Sequence, residues 1–137
     1  MSNPSHTGQC LCGQVHYTIN ADPMMAGHCN CVDCQRATGA AHMTAAFFPR
    51  DAFEIAGDMA SHTVTADSGN TVERFFCPTC GGRLFAENSG NPEMRAVMVG
   101  SLDNKEAVSP QMRVYQRNRP SWDLLDETLP GFETMPG

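Results

Sequence analysis

The sequence predicts a mainly β fold of antiparallel sheets with one short helix. Three features carry that expectation. Short apolar runs alternate with the two-residue period of a half-buried strand. Turn-forming pairs and triplets, Gly57-Asp58, Ser68-Gly69-Asn70, Gly81-Gly82 and Ser89-Gly90-Asn91-Pro92, separate those runs. Residues 32–38 alone read as a helix, with Gly39 behind them as a left-handed stop.

In chain order, the first strand spans 14–20, where Val15, Tyr17 and Ile19 share one side and His16 and Thr18 the other. The run 43–48 is a strand ended by Pro49. Further strands are expected over 53–56, 61–66, 71–76, 84–87, 94–99 and 112–116. Such a series of short strands fits antiparallel sheets. The phenylalanines and methionines read as core. From Arg119 the chain is rich in Pro and acidic residues, and Trp122, Leu124, Leu125 and Leu129 are the groups expected to pin it to the body.

The 137 residues are 41% apolar and 18% charged. That suffices for one modest core in a single domain, expected over roughly 6–133. The net charge is −6. Proteins that grip nucleic acid carry clustered Lys and Arg, so no nucleic-acid partner is expected. Thiolate-bound metal adds no positive charge. The polar start MSNPSHTGQC lacks the apolar run of a secretory signal. No stretch is long enough to span a bilayer, so no membrane partner is expected. A cytoplasmic protein with reduced thiols follows as the expectation. The sequence carries no signal for an oligomeric state.

Seven cysteines are an odd number, so disulfides alone leave one unpaired. They fall into two sets. Cys77-Pro78-Thr79-Cys80-Gly81-Gly82 is a zinc-knuckle pattern, in which the glycines let backbone N–H groups turn toward the sulfurs. Cys10 and Cys12 supply the other two ligands of a structural zinc site that clamps the first strand to the middle of the sheet. A redox-active CxxC at Cys77 and Cys80 would leave Cys10 and Cys12 without a purpose. Cys29, Cys31 and Cys34 form the second set, wrapped by a loop and the first helical turn, where the helix N-terminus favours thiolate. Zinc with three protein ligands keeps one exchangeable position, the catalytic arrangement. His28, Asp33 or His42 would close that position instead. On spacing alone both arrangements stand.

GQCLCGQVHY at 8–17, HCNCVDCQRATG at 28–39, FFCPTCGGRLF at 75–85, VGSLD at 99–103 and the tail residues Ser121-Trp122 and Leu129-Pro130-Gly131-Phe132 occur in one order. Together they closely resemble the glutathione-dependent formaldehyde-activating (GFA) family over nearly the whole chain. The resemblance implies a β-tent of stacked antiparallel sheets holding about two zinc ions per chain. It implies a structural site at Cys10, Cys12, Cys77 and Cys80, and a zinc assigned to catalysis at Cys29, Cys31 and Cys34. The implied activity is that of an S-(hydroxymethyl)glutathione synthase, a carbon–sulfur lyase with a small thiol such as glutathione as its partner. The chain departs from the family where the triplet often reads Cys-His-Cys: Asn30 neither titrates nor ligates as an imidazole.

Three functions follow as expectations. The first is a lyase, in which an external thiol joins the triplet's metal and its thiolate attacks, or leaves, an aldehyde carbon. His28 and His42 are its candidate acid–base groups. Arg36, whose planar fork suits a carboxylate, is its candidate holder of the thiol substrate; Arg36 also reads as a surface charge or a partner of Asp33. Arg74 and Arg83 flank the knuckle and suit the same task. The second is a non-catalytic zinc module that binds another protein. The third is a thiol redox sensor, in which Cys31 and Cys34 form a disulfide once zinc is lost.

Overall fold

The computed structural model describes residues 5–136, so the first four residues of the polar start and Gly137 lie outside it. A three-stranded antiparallel sheet is built from β1 (His6–Gln9), β2 (His16–Ile19) and β5 (Phe53–Ala56), in the order β1-β2-β5. A seven-stranded sheet holds β3 (Met25–Cys29), β4 (Met43–Pro49), β6 (Ala60–Thr65), β7 (Thr71–Phe76), β8 (Arg83–Asn88), β9 (Met94–Met98) and β10 (Arg113–Val114). Its order is β10-β3-β4-β9-β8-β7-β6. The α-helix α1 (Val32–Thr38) follows β3, and Gly39 ends it at φ 72°. The mainly β architecture with one short α-helix is the one the sequence predicts.

Period-two alternation builds the core. Val15, Tyr17 and Ile19 turn inward from the small sheet while His16 faces solvent. They meet Ala46 and Phe48 from β4, Leu84 and Phe85 from β8 and Val97 from β9. Phe53 sits at the junction, with its ring 6.1 Å from Tyr17, 6.3 Å from Phe48 and 5.6 Å from Phe85. The intervening residues of the large sheet, among them Met43, Phe47, Val72, Arg74 and Ala96, point away from the small sheet and line a cavity on its far side.

Several elements differ from the sequence expectation. β1 and β3 lack a strand signature, reading HTGQ and MAGHC. Neighbours impose both: β1 pairs with β2, and β3 is held between β4 and β10. The β10–β3 pairing is parallel, the one exception among the described strand pairs. The strand expected over 112–116 shrinks to two residues. Tyr115 turns left-handed at φ 54° and ψ 41°, and a 3-10 turn begins at Gln116.

The tail is also held differently. Trp122 and Leu124 are 73% and 84% exposed, so they do not pin it. Polar groups do. Arg113 N–H donates to Pro130 O at 2.9 Å, and Phe132 N–H donates to Arg113 O at 2.8 Å. Buried Asp123 reaches back under the triplet loop.

Phe48 is fully buried between the sheets. Phe48→Ala is expected to cost about 3–5 kcal/mol of stability, read from denaturant unfolding of the metal-loaded protein. A loss below about 1 kcal/mol would show that the two sheets do not share this core.

Candidate metal centres

The sulfurs of Cys10, Cys12, Cys77 and Cys80 all lie within 4.8 Å of one another. Cys10 Sγ stands 3.7 Å from Cys12 Sγ, and Cys12 Sγ stands 3.8 Å from Cys77 Sγ. A tetrahedron with metal–sulfur bonds of about 2.3 Å has edges of about 3.8 Å, so the spacing fits a tetrathiolate zinc site. Gly13 (φ 80°) and Gly81 (φ 77°) supply the left-handed turns that fold each cysteine pair back. Backbone N–H groups of Val15, Thr79 and Gly82 donate to the sulfurs of Cys10, Cys77 and Cys80 at 3.3, 3.4 and 3.4 Å. Backbone N–H groups of Cys12 and Gly82 hold the Cys80 thiol down to about 6. Cys12 gains from the Gln14 N–H, yet burial and the neighbouring sulfurs push it up to about 11. Four crowded sulfurs that split their protons in this way form a donor set for a soft cation.

Cys29, Cys31 and Cys34 make a second group within the same 4.8 Å limit. Cys29 ends β3, Cys31 caps α1, and Cys34 lies in its first turn. Cys34 N–H donates to Cys31 Sγ at 3.2 Å. Bonds to Cys31 and Cys34 push the Cys29 thiol far above its usual range, whereas the bonds from Cys29 and Cys34 hold Cys31 down to about 2. Of the three thiols, Cys31 is the one whose thiolate form these bonds favour. Arg74 adds a favourable field at both Cys31 and Cys34.

Among the described residues, no histidine or carboxylate joins the triplet within that 4.8 Å limit. His28 Nδ1 is engaged with Thr44 Oγ1 at 2.8 Å, and His42 Nδ1 with Asp123 at 2.9 Å. Asp33 is exposed on α1. Cys31 and Cys34 instead border a cavity of about 520 Å³. Its walls are mostly apolar, including Val32, Met43, Phe47, Val72, Ala96 and Met94. Its cations are Arg74 and Arg117. The structure does not bring Arg36 there: that side chain is exposed on α1, outside the cavity lining. Arg83 stacks over the Phe76 ring at 5.0 Å.

Asn30, between the first two cysteines, is fully buried. Its Nδ2 donates to Ala41 O at 2.7 Å and to Asp123 Oδ2 at 2.9 Å, and its Oδ1 accepts from Gln116 Nε2 at 2.9 Å. Asn30 therefore ties the triplet loop to the tail. Sequence reasoning missed Asp123, Tyr115 and Arg117, which the tail brings to this region. Asp123 looked like one acidic residue among several, and no local pattern set it apart. Burial alone would raise its carboxyl, but hydrogen bonds from Asn30 and His42 outweigh it and hold the group below the usual carboxylate range.

A depressed folded-state value stabilises the native state above the ordinary carboxylate pKa and loses that contribution as pH falls through the depressed value. Asp123→Asn is therefore expected to destabilise the protein by about 1–3 kcal/mol at neutral pH. The difference from wild type should shrink below about pH 4. Paired unfolding curves across pH check this; a pH-independent difference would remove the charge from the account.

A family model described as "Glutathione-dependent formaldehyde-activating enzyme" matches residues 5–118. A curated Penicillium rubens protein named after the same family is 29% identical over 105 residues, which are 74% of this chain and 54% of that one. The chain thus spans about half the length of the curated relative it matches. The crystal structure of a Rhodobacter sphaeroides protein superposes with a TM-score of 0.58 at 23% identity, over 72% of this chain and 88% of that one. At that identity the likeness is one of fold.

Proposed function

The chain belongs to the glutathione-dependent formaldehyde-activating family, and from that membership we propose that it is a zinc-dependent carbon–sulfur lyase acting on a small thiol–aldehyde adduct such as S-(hydroxymethyl)glutathione. One observation carries the reading: three cysteine sulfurs converge with no fourth side chain, beside a cavity of about 520 Å³. In this proposal Cys29, Cys31 and Cys34 hold the zinc of the reaction, and Cys10, Cys12, Cys77 and Cys80 hold a structural zinc. Zinc held by the triplet would supply acidity to an incoming thiol at neutral pH.

The remaining work belongs to the chain's own groups. The apolar residues beside the sulfurs, among them Met43 and Phe47, lower the local polarity, which strengthens charge interactions there. Asn30 and Asp123 keep the Cys29–Cys31 loop from shifting, so the three sulfurs hold one spacing. Arg117 stands 3.9 Å from Asp67, a loose pair with an exposed guanidinium, and is free to exchange that partner for a substrate carboxylate. The Tyr115 ring lies 5.9 Å from the Arg117 guanidinium.

The two sulfur groups differ in their surroundings. Cys10 and Cys77 belong to the main core, whereas the triplet packs in a small satellite cluster with Val114. The expected metal content is about two zinc ions per chain. Cys31→Ser should lose about one zinc and all turnover while keeping its circular dichroism. Cys80→Ser should unfold. Metal analysis, an adduct-formation assay and unfolding curves on both variants check the division of labour, and equal unfolding of the two would abolish it.

A further inference from the structure

We propose that Arg74 is a catalytic residue of this chain, its guanidinium donating hydrogen bonds to the aldehyde oxygen as the carbon–sulfur bond is made or broken. The inference rests on the lyase reading above and assigns a group to the half of the reaction that the sulfurs do not touch.

The first support is what the other arginines do. Among the described residues, Arg50 and Arg95 pair with Glu87, and Arg117 pairs with Asp67. Arg83 covers the Phe76 ring, and Arg113 and Arg119 donate to backbone carbonyls. Only Arg36 and Arg74 make no ion pair, hydrogen bond or ring contact among the described residues. Arg36 is exposed and water satisfies it, but Arg74 is half-buried. A half-buried guanidinium whose N–H groups have no hydrogen-bond partner is under-satisfied, and a ligand oxygen would satisfy it.

The second support is position. Arg74 shares the cavity with Cys31 and Cys34. It also lines a narrow crevice with Ala37 and Thr38 of α1 and with Met43, whose Sδ lies 3.9 Å from Cys34 Sγ. Its direction is set by the strand: neighbouring Phe75 is locked into the core 4.9 Å from Phe85, so alternation sends Arg74 to the opposite face. Its cross-strand partner on β8 is Ala86, too small to block the way. Arg117 stands apart from Arg74, beside Asp67 and Tyr115, in the position assigned above to a carboxylate on the thiol.

The chemistry calls for a hydrogen-bond donor on the oxygen side of the reacting carbon. In a thiohemiacetal the oxygen sits one carbon from the sulfur. When the adduct forms, a sulfur electron pair makes the carbon–sulfur bond and the C=O π pair moves onto oxygen. The proton released by the thiol reaches that oxygen through solvent. In reverse the hydroxyl proton is lost, the C=O bond returns, and the carbon–sulfur pair goes back to sulfur. Nothing is oxidised or reduced. Arg74 acts through its N–H groups as a donor only, because a guanidinium has five such donors and no acceptor. Its role is electrostatic, aimed at charge that exists chiefly in the transition state.

The test uses zinc-loaded full-length protein with formaldehyde and glutathione, following adduct exchange by NMR. Arg74→Met is expected to lower kcat by about 10²–10³-fold, with zinc content and glutathione affinity within about twofold of wild type. Arg74→Lys should retain part of the rate, and added guanidinium should restore part of it to Arg74→Met. An unchanged kcat, or a loss expressed wholly in KM, would overturn the assignment while leaving the lyase reading intact. Failure of both variants to fold would make Arg74 structural and overturn it equally. Wild-type protein that binds glutathione but never accelerates exchange would sink the lyase reading, and this inference with it.

Discussion

Sulfur crowding is the constraint around which this small protein is organised. Seven cysteines gather into two groups, each within 4.8 Å. Cys12 and Cys77, separated by 65 residues, come within 3.8 Å. That contact ties the β1–β2 turn of the small sheet to the end of β7. Cys10 and Cys77 are at the same time core residues, packed in one cluster with Val15, Leu84 and Phe85. The sulfur group and the hydrophobic core are therefore one cooperative unit. Losing the donor set would expose apolar surface, and loosening the core would pull the sulfurs apart.

The large sheet separates stability from chemistry by its pleat. Residues that point toward the small sheet, such as Ala46, Phe48, Phe75 and Val97, make the core. Their neighbours on the same strands, Phe47, Arg74 and Ala96, face the cavity beside Cys31 and Cys34. Each strand thus contributes to both tasks without a residue serving two masters, because successive side chains emerge on opposite faces. Substitutions on the cavity face are free to retune ligand preference with little effect on packing.

The second sulfur group depends on the tail. Asn30 is satisfied only because Asp123 and Gln116 reach it from far along the chain. A buried amide with three polar partners holds its loop more rigidly than an apolar side chain of that size would. The tail segment at 130–132, bridged to β10 through Gly131 and Arg113, keeps those partners in place. Left-handed Tyr115 lets the chain leave β10 and turn Gln116 inward, a local strain held by the surrounding hydrogen bonds.

Much of this was legible in the chain itself. The alternation at Val15-Tyr17-Ile19, the helix stopped by Gly39 and the division of cysteines into four and three depend on near neighbours. Local chemistry therefore determined them. β3, with its MAGHC sequence, and the two-residue β10 were illegible because pairing on their flanks makes them strands. Trp122 and Leu124 misled for a related reason: hydrophobicity predicts burial only where a surface waits to receive it, and here Asp123 occupies that place through hydrogen bonds. The sequence by itself determined the β-rich class and which residue types group together as donors. Tertiary structure alone decided that no described side chain joins the triplet and that Arg74, rather than Arg36, faces it. Both outcomes turn on distances between segments tens of residues apart, and only the packed sheets set those distances.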